Sequence, residues 1–374
     1  MVRRLFSVLL LLLMLFSVPA SFAQEECAEL TSVRLQLKWS TQAQFAGYYA
    51  ADREGYFEDE CLNVEILQGG PDIGPQQVVA AGGAEFGIDW MPSMLASREQ
   101  GSGAVNIAQI FQRSGMLEIT WADSGLETID DLRGKVVGVW GFGNQYPLFA
   151  ALVKHNIDPD NPDDITIFNQ PFDMVAFLNR EIDAAAAMTY NELAQVLEYV
   201  GEDGSFPVYT LKDLNIIDLN EVGTAMLEDM VFVNEEWLAG ETDGTPNEEI
   251  AIRFLRATYR GWAFCRDNPD QCVEYVLEAG STLGAGHQAW MMNEINKLIW
   301  PSENGIGIMD PALAEQTAEI ALNYEVITQP MDEGAYRTDL AQAALDSLLA
   351  DMPDFDAYGL DWEPAEVEIT PNGE

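Results

Sequence analysis

"VRLQLKWSTQAQFAGYYAADREGYF", Val33 to Phe57, is the stretch on which the reading of this chain turns. A short apolar run with strand character, VRLQL, passes through a polar turn into FAGYYAADREG, which has the spacing of a helix. The succession repeats: VEIL leads into GPQQVVAAG, and EFGID leads into PSMLASREQG. Strand–helix alternation of this kind predicts an α/β protein with a mostly parallel sheet covered on both faces. The pattern then restarts, with TIDDLRGKVVGVW, YPLFAALVKHN, ITIF, DMVAFLNREI, DAAAAM and NELAQVLEYV reading as helix–strand, helix, strand, helix, strand and helix. Two βα lobes in series follow from this. Beyond Met226 comes one more strand, MVFVNEEWL, and then longer packing helices in EEIAIRFLRATYRGWAFC, HQAWMMNEINKLIW and PALAEQTAEIALNY. The segment from Met352, Pro-rich and acidic, is expected to be loosely held.

The chain opens with MVRRLFSVLLLLLMLFSVPASFA, a basic start, an apolar run and a small-residue exit. This pattern predicts a secretory signal over residues 1–23 and an exported protein, periplasmic or on the outer face of the cytoplasmic membrane. About 350 residues remain after it, enough for two lobes with separate cores. Four cysteines suit an oxidising compartment. Of the three pairings they allow, the expectation is the local one for each, Cys27 with Cys61 and Cys265 with Cys272. Metal ligation is disfavoured, because His155 and His287 stand alone and no C-x-x-C occurs.

The 62 acidic residues against 18 basic ones, a formal charge of −44, argue against nucleic acid and anionic membrane surfaces, both polyanions. They also disfavour a phosphorylated ligand. Most of these acids read as a solvated surface.

In open α/β sheets ligands collect outside the carboxyl ends of strands, so the strand-to-helix turns are where a site is sought. Trp39, Phe45, Trp90, Trp140, Phe142 and Tyr190 all fall in or beside such turns. A single aromatic there ordinarily seals a lobe's edge, but six suit stacking on a flat ligand. Gln42, Gln44, Asn144, Gln145, Asn191, Asp89 and Glu192 supply the few polar groups that orient one. Two of these have plainer readings as well: Thr189 to Glu192 has the form of a capping box, and Asp89 that of a turn residue before Pro92. The glycines of GFGNQ lack the third member of a dinucleotide fingerprint. No catalytic motif occurs, and no cofactor is implied.

LQLKWSTQAQFAGYYAADREGYFEDECLNVEIL, AEFGIDWMPSML, IDDLRGKVVGVW and IDAAAAMTYNE together resemble the solute-binding proteins of bacterial ABC importers related to yeast thiamine-pyrimidine synthase. The resemblance runs well from Leu35 to Val200 and in outline beyond. QAQFAGYYAA and AMTYNE are most like the vitamin-binding members, among them the riboflavin-binding RibY type and the formylaminopyrimidine-binding type. It implies a two-lobed periplasmic-binding-protein fold of type II, the venus flytrap. Lobe one would comprise residues 30–119 and 226–350 and lobe two residues 120–225, with an acidic tail at 351–374. It implies riboflavin, or else an aminopyrimidine, held between the lobes, and an ABC permease and ATPase as partners. The fungal enzyme of the family uses a histidine, a cysteine-rich segment and a lysine that holds pyridoxal phosphate. This chain has no cysteine cluster, so binding without catalysis is expected.

Overall fold

The computed structural model describes Cys27, residues 29–171 and residues 173–374; the predicted leader lies outside the described residues. Ten strands form two five-stranded sheets. The first sheet holds β1 (Thr31–Gln36), β2 (Leu62–Leu67), β3 (Phe86–Asp89) and β4 (Ala104–Gln109). The second holds β5 (Met116–Trp121), β6 (Val136–Val139), β7 (Thr166–Asn169), β8 (Ala184–Met188) and β9 (Leu214–Asp218). The chain then returns to the first sheet as β10 (Met230–Asn234).

The strand orders, β2-β1-β3-β10-β4 and β7-β6-β8-β5-β9, are the same pattern twice. In each sheet one strand runs against its neighbours: β10 is antiparallel to β3 and β4, and β5 to β8 and β9. Each is the strand by which the chain enters from the other lobe. The rest are parallel with helical crossovers, as the alternating pattern predicts. This is the type II binding-protein fold.

The two crossings, residues 110–115 and 219–229, are tied together by a buried acid. The Glu228 carboxylate accepts the Ser114 hydroxyl, and also the Gly115 amide at 3.0 Å. Burial pushes its carboxyl up to about 8.

In the first lobe the helix Ala46–Arg53 packs on the long helix Asn247–Asp267. Gly47 and Gly261 permit the close crossing, for a Cβ on Gly261 would lie 2.0 Å from the Gly47 carbonyl. Tyr48 meets Trp262 edge-on at 5.7 Å, and Phe57 stacks on Phe254. Much of the aromatic density of the opening stretch therefore builds a core. Both disulfides form in the expected pairs, Cys27–Cys61 and Cys265–Cys272, each with Cα atoms 5.5 Å apart.

The segment after Met352 has little regular structure but is pinned along its length. Tyr358 and Ala357 carbonyls accept from Ser302 and Ile306, the Ala365 amide donates to Asn293 at 2.9 Å, and the Asn372 amide donates to the Glu198 carbonyl at 2.8 Å. It thus runs from the first lobe onto the second. Among the described residues no helix is long and apolar enough to cross a membrane.

Candidate functional site

The carboxyl ends of β1, β3, β6 and β8 converge on a partly open cleft of about 330 Å³ between the lobes. From the first lobe, Lys38, Trp39, Gln42, Gln44 and Trp90 line it; from the second come Trp140, Asn144, Met188, Tyr190, Asn191 and Glu192. Nine of the thirteen residues expected at a site are in this lining.

The first-lobe wall is held by a chain of buried polar contacts. Lys38 donates to Asp89 at 2.6 Å, and the same carboxylate oxygen accepts the Ser93 hydroxyl at 2.6 Å and the Trp90 amide at 2.7 Å. The lysine also sits 5.1 Å from the centre of the Trp90 ring, within cation–π range. On its other edge, Trp90 Nε1 donates to Asp229 at 2.8 Å. Gln44 donates to the second Asp229 oxygen at 2.8 Å and accepts from Gln42 at 2.6 Å. Burial raises the Asp229 carboxyl to about 6, opposed by Gln44, Lys38 and Trp90. The network fixes the indole face and two amides before any ligand arrives.

In the second lobe Asn144 is anchored through Nδ2 to the Gly141 carbonyl at 2.7 Å. The expected capping box does not form: the helix Glu192–Leu197 begins only at Glu192, so Thr189 lies too early to cap it. Glu192 instead accepts the Met188 amide at 3.0 Å and the Asn191 side chain at 2.9 Å. Burial raises its carboxyl to about 7 and holds the Tyr190 phenol well above its ordinary value.

The lobes meet around this space. His287, on the helix Ala285–Ile299, lies 2.9 Å from the Glu198 carboxylate and 3.0 Å from Asn191 Oδ1, both on the second lobe. Trp290 Nε1 donates to the Thr189 carbonyl at 3.1 Å. Gly143, with φ of +93°, faces Ser93 so closely that a Cβ there would stand 2.4 Å from the serine Cβ.

A model of the family described as NMT1/THI5 like matches residues 42–272. The chain belongs to this family. Among its NMT1/THI5-like relatives, the formylaminopyrimidine-binding protein of Halalkalibacterium halodurans is 24% identical over 73% of this chain and 78% of its own. The riboflavin-binding protein RibY of Chloroflexus aurantiacus is 24% identical over 84% and 86%. A 4-amino-5-hydroxymethyl-2-methylpyrimidine phosphate synthase of Legionella pneumophila is 24% identical over 66% and 73%. Among solved structures, the periplasmic aliphatic sulphonate binding protein SsuA of Escherichia coli superposes with a TM-score of 0.58 at 15% identity, covering 90% of this chain and 94% of its own. At that identity the likeness speaks for the fold alone.

Four expected site residues lie outside the lining. Phe45 is wholly buried in the first-lobe core, because its 3-10 turn Ala43–Phe45 points it inward. Asp89 sits behind Lys38, its Oδ2 buried without a partner. Phe142 is 62% exposed and borders a neighbouring space, not this one. Gln145 turns back to accept the Gly143 amide. Lys38 and Met188 were not singled out in the sequence, although both adjoin turns that were. Among the described residues no group of three or more His, Cys, Asp or Glu is placed to hold a metal ion.

Proposed function

We propose that this protein is the extracytoplasmic solute-binding subunit of an ABC importer and that it captures a flat, uncharged heteroaromatic vitamin or vitamin precursor, riboflavin by preference. The observation that carries this reading is the convergence of Trp39, Trp90, Trp140 and Tyr190, drawn from both lobes, on one interlobe cleft furnished with neutral amides. Rings on both walls suit a ligand with two faces to stack, and Gln42, Gln44, Asn144 and Asn191 suit its hydrogen-bonding edge. Among the lining residues the only cation is Lys38, already held by Asp89, which disfavours an anionic ligand. Trp90 and Tyr190 form the sandwich in this proposal, with Asn191 or Glu192 at the ligand's edge.

Binding without turnover is part of the proposal. All four cysteines are engaged in disulfides, and Lys38 is locked in its ion pair, which leaves neither free for covalent chemistry. A division into two lobes, its first boundary moved from 119 to the crossing at 110–115 because β5 (Met116–Trp121) lies wholly in the second sheet, together with export by the leader and association with a permease and ATPase, completes the reading. A pyrimidine precursor is the second reading, favoured by the likeness to the formylaminopyrimidine-binding protein. Titration with riboflavin, followed by flavin fluorescence, tests the choice. Saturable quenching supports the flavin; no quenching, with saturable calorimetric binding of formylaminopyrimidine, moves the assignment to the pyrimidine.

A further inference from the structure

His287 stands where the two lobes touch, and each of its ring nitrogens faces an acceptor on the second lobe. Nδ1 lies 2.9 Å from one Glu198 oxygen and 3.0 Å from the other, and Nε2 lies 3.0 Å from Asn191 Oδ1. The amide's orientation is set by its other neighbours: Asn191 Nδ2 donates to Glu192 at 2.9 Å, and Asn191 Oδ1 accepts from Gln195 at 3.1 Å. Reversing it would set oxygen against the Glu192 carboxylate. A neutral imidazole carries one donor and so satisfies only one of two acceptors, whereas the doubly protonated ring donates to both.

The surroundings favour that cation. Glu192 and Glu198 flank the ring from the two ends of the second-lobe helix. The tail packs so closely that a Cβ on Gly373 would stand 2.7 Å from the His287 Cβ, which brings Glu374 alongside. The helix Ala285–Ile299, which carries His287, has no charged residue before Glu294. The Glu198 side chain is only 6% exposed and the His287 side chain 14%, so solvent screens little of their attraction.

The place of His287 on its helix makes the contact sensitive to closure. Leu298, near the other end, accepts the Gln112 amide at 2.9 Å on the crossing 110–115. His287 lies about 16 Å from Leu298 along the helix at 1.5 Å per residue, so rotation about the crossings displaces it much further. Its partner Asn191 lines the cleft. One side chain therefore joins the lobes and fixes an amide that faces the ligand.

We propose that His287 is the clasp of the shut cleft and the positioning residue for Asn191, bridging the Glu198 carboxylate and the Asn191 oxygen as a doubly protonated ring. The inference rests on the reading of capture between the lobes and goes beyond it by assigning the side chain that holds them shut.

Rates of riboflavin association and dissociation, followed by tryptophan fluorescence on the wild type, His287→Gln and Glu198→Gln, test the clasp. A contact made only when the lobes are shut slows release and leaves encounter unchanged. Each variant should release the ligand about tenfold faster, with association within about twofold of the wild type. Nitrogen NMR of the imidazoles gives the second reading. In the liganded wild type at pH 7.5, where an ordinary histidine is mostly neutral, both His287 nitrogens should be protonated, the signals being assigned by their loss in His287→Gln. An Nε2 without a proton would overturn the clasp, as would an unchanged release rate or a loss carried by association. If the variants fail to fold, the wild-type spectrum decides, since His155 and His287 are the only histidines in the chain. Should riboflavin fail to bind the wild type, the flavin reading falls, and the same rates and spectra taken with formylaminopyrimidine decide the clasp. Failure of both ligands to bind overturns the capture reading and the clasp with it.

Discussion

Gly143→Ala isolates the closure of the two lobes as a contributor to affinity. Gly143 belongs to the second-lobe turn after β6, and Ser93 to the first turn of the first-lobe helix Met91–Glu99. A Cβ at position 143 would lie 2.4 Å from the Ser93 Cβ, with Ser93 Oγ and Tyr146 Cε2 both at 3.4 Å. Carbon atoms pack at about 3.5–4.0 Å, so the lobes would have to part by about 1 Å at this point. The left-handed backbone at φ of +93° adds a strain of about 1 kcal/mol that is present open or closed. Ligand stabilises the shut state only by its differential affinity for it, so raising that state lowers affinity directly. We expect a loss of at least about tenfold, or 1.4 kcal/mol. Ser93→Gly removes the opposing Cβ but also the hydroxyl that holds Asp89, and has its own cost. The double variant decides: if closure is what suffers, it should recover affinity so that the cycle departs from additivity by about 1 kcal/mol or more. Calorimetric titration of wild type, both single variants and the double variant supplies the four numbers. An additive cycle would refute the reasoning and locate the effect in local strain.

Trp90→Ala and Tyr190→Ala should each weaken ligand binding by about 1–3 kcal/mol, the range for rings stacked on aromatic side chains. Phe45→Ala, deep in the first-lobe core, should instead cost about 3–5 kcal/mol of stability and leave the affinity of the folded fraction unchanged; paired melting and binding measurements separate the two behaviours. Glu192, raised to about 7, changes charge near neutrality, so affinity for a ligand that donates a hydrogen bond to it should rise from pH 6 to pH 8. Glu192→Gln should flatten that profile, and an unaltered profile would exclude Glu192 as the ligand's acceptor. Glu118, wholly buried with neither carboxylate oxygen partnered, is pushed well above its ordinary 4.5 by burial alone. Above that ordinary value the folded chain keeps a proton that the unfolded chain has lost, so Glu118 lowers stability as pH rises. Glu118→Gln should remove up to about 1.4 kcal/mol per pH unit of that decline between pH 5 and pH 7, read from melting curves; an unchanged slope would show that the group is ionised in the folded state.

The strands legible in the sequence are those flanked by helices in a parallel crossover: β1, β2, β3, β6, β7, β8, and then β10. Those missed are β4, β5 and β9, and the reason is physical. AVNIAQ and MLEITW are buried throughout but carry Asn106, Gln109, Glu118 and Thr120, so they show neither a continuous apolar run nor a clean alternation. The turn residues were legible because strand ends in an open sheet face the ligand cleft whatever the details. Which aromatic in a dense stretch turns outward was not. Tyr48 and Phe57 pack against the helix Asn247–Asp267, about 200 residues further along the chain, and no local periodicity announces such a contact. Lys38 escaped notice because its partner Asp89 lies on another strand. The grip on the acidic tail comes likewise from Asn293 and Glu198, which are distant in the chain.

The central claim is reversible capture of one flat heteroaromatic molecule between the lobes. Calorimetric titration of the mature protein with riboflavin and, separately, with formylaminopyrimidine, followed by chemical recovery of the ligand, tests it most directly. The account predicts saturation at one molecule per chain for one of the two, with the ligand recovered unchanged. No saturable heat with either, or a converted product in place of the ligand, would contradict it.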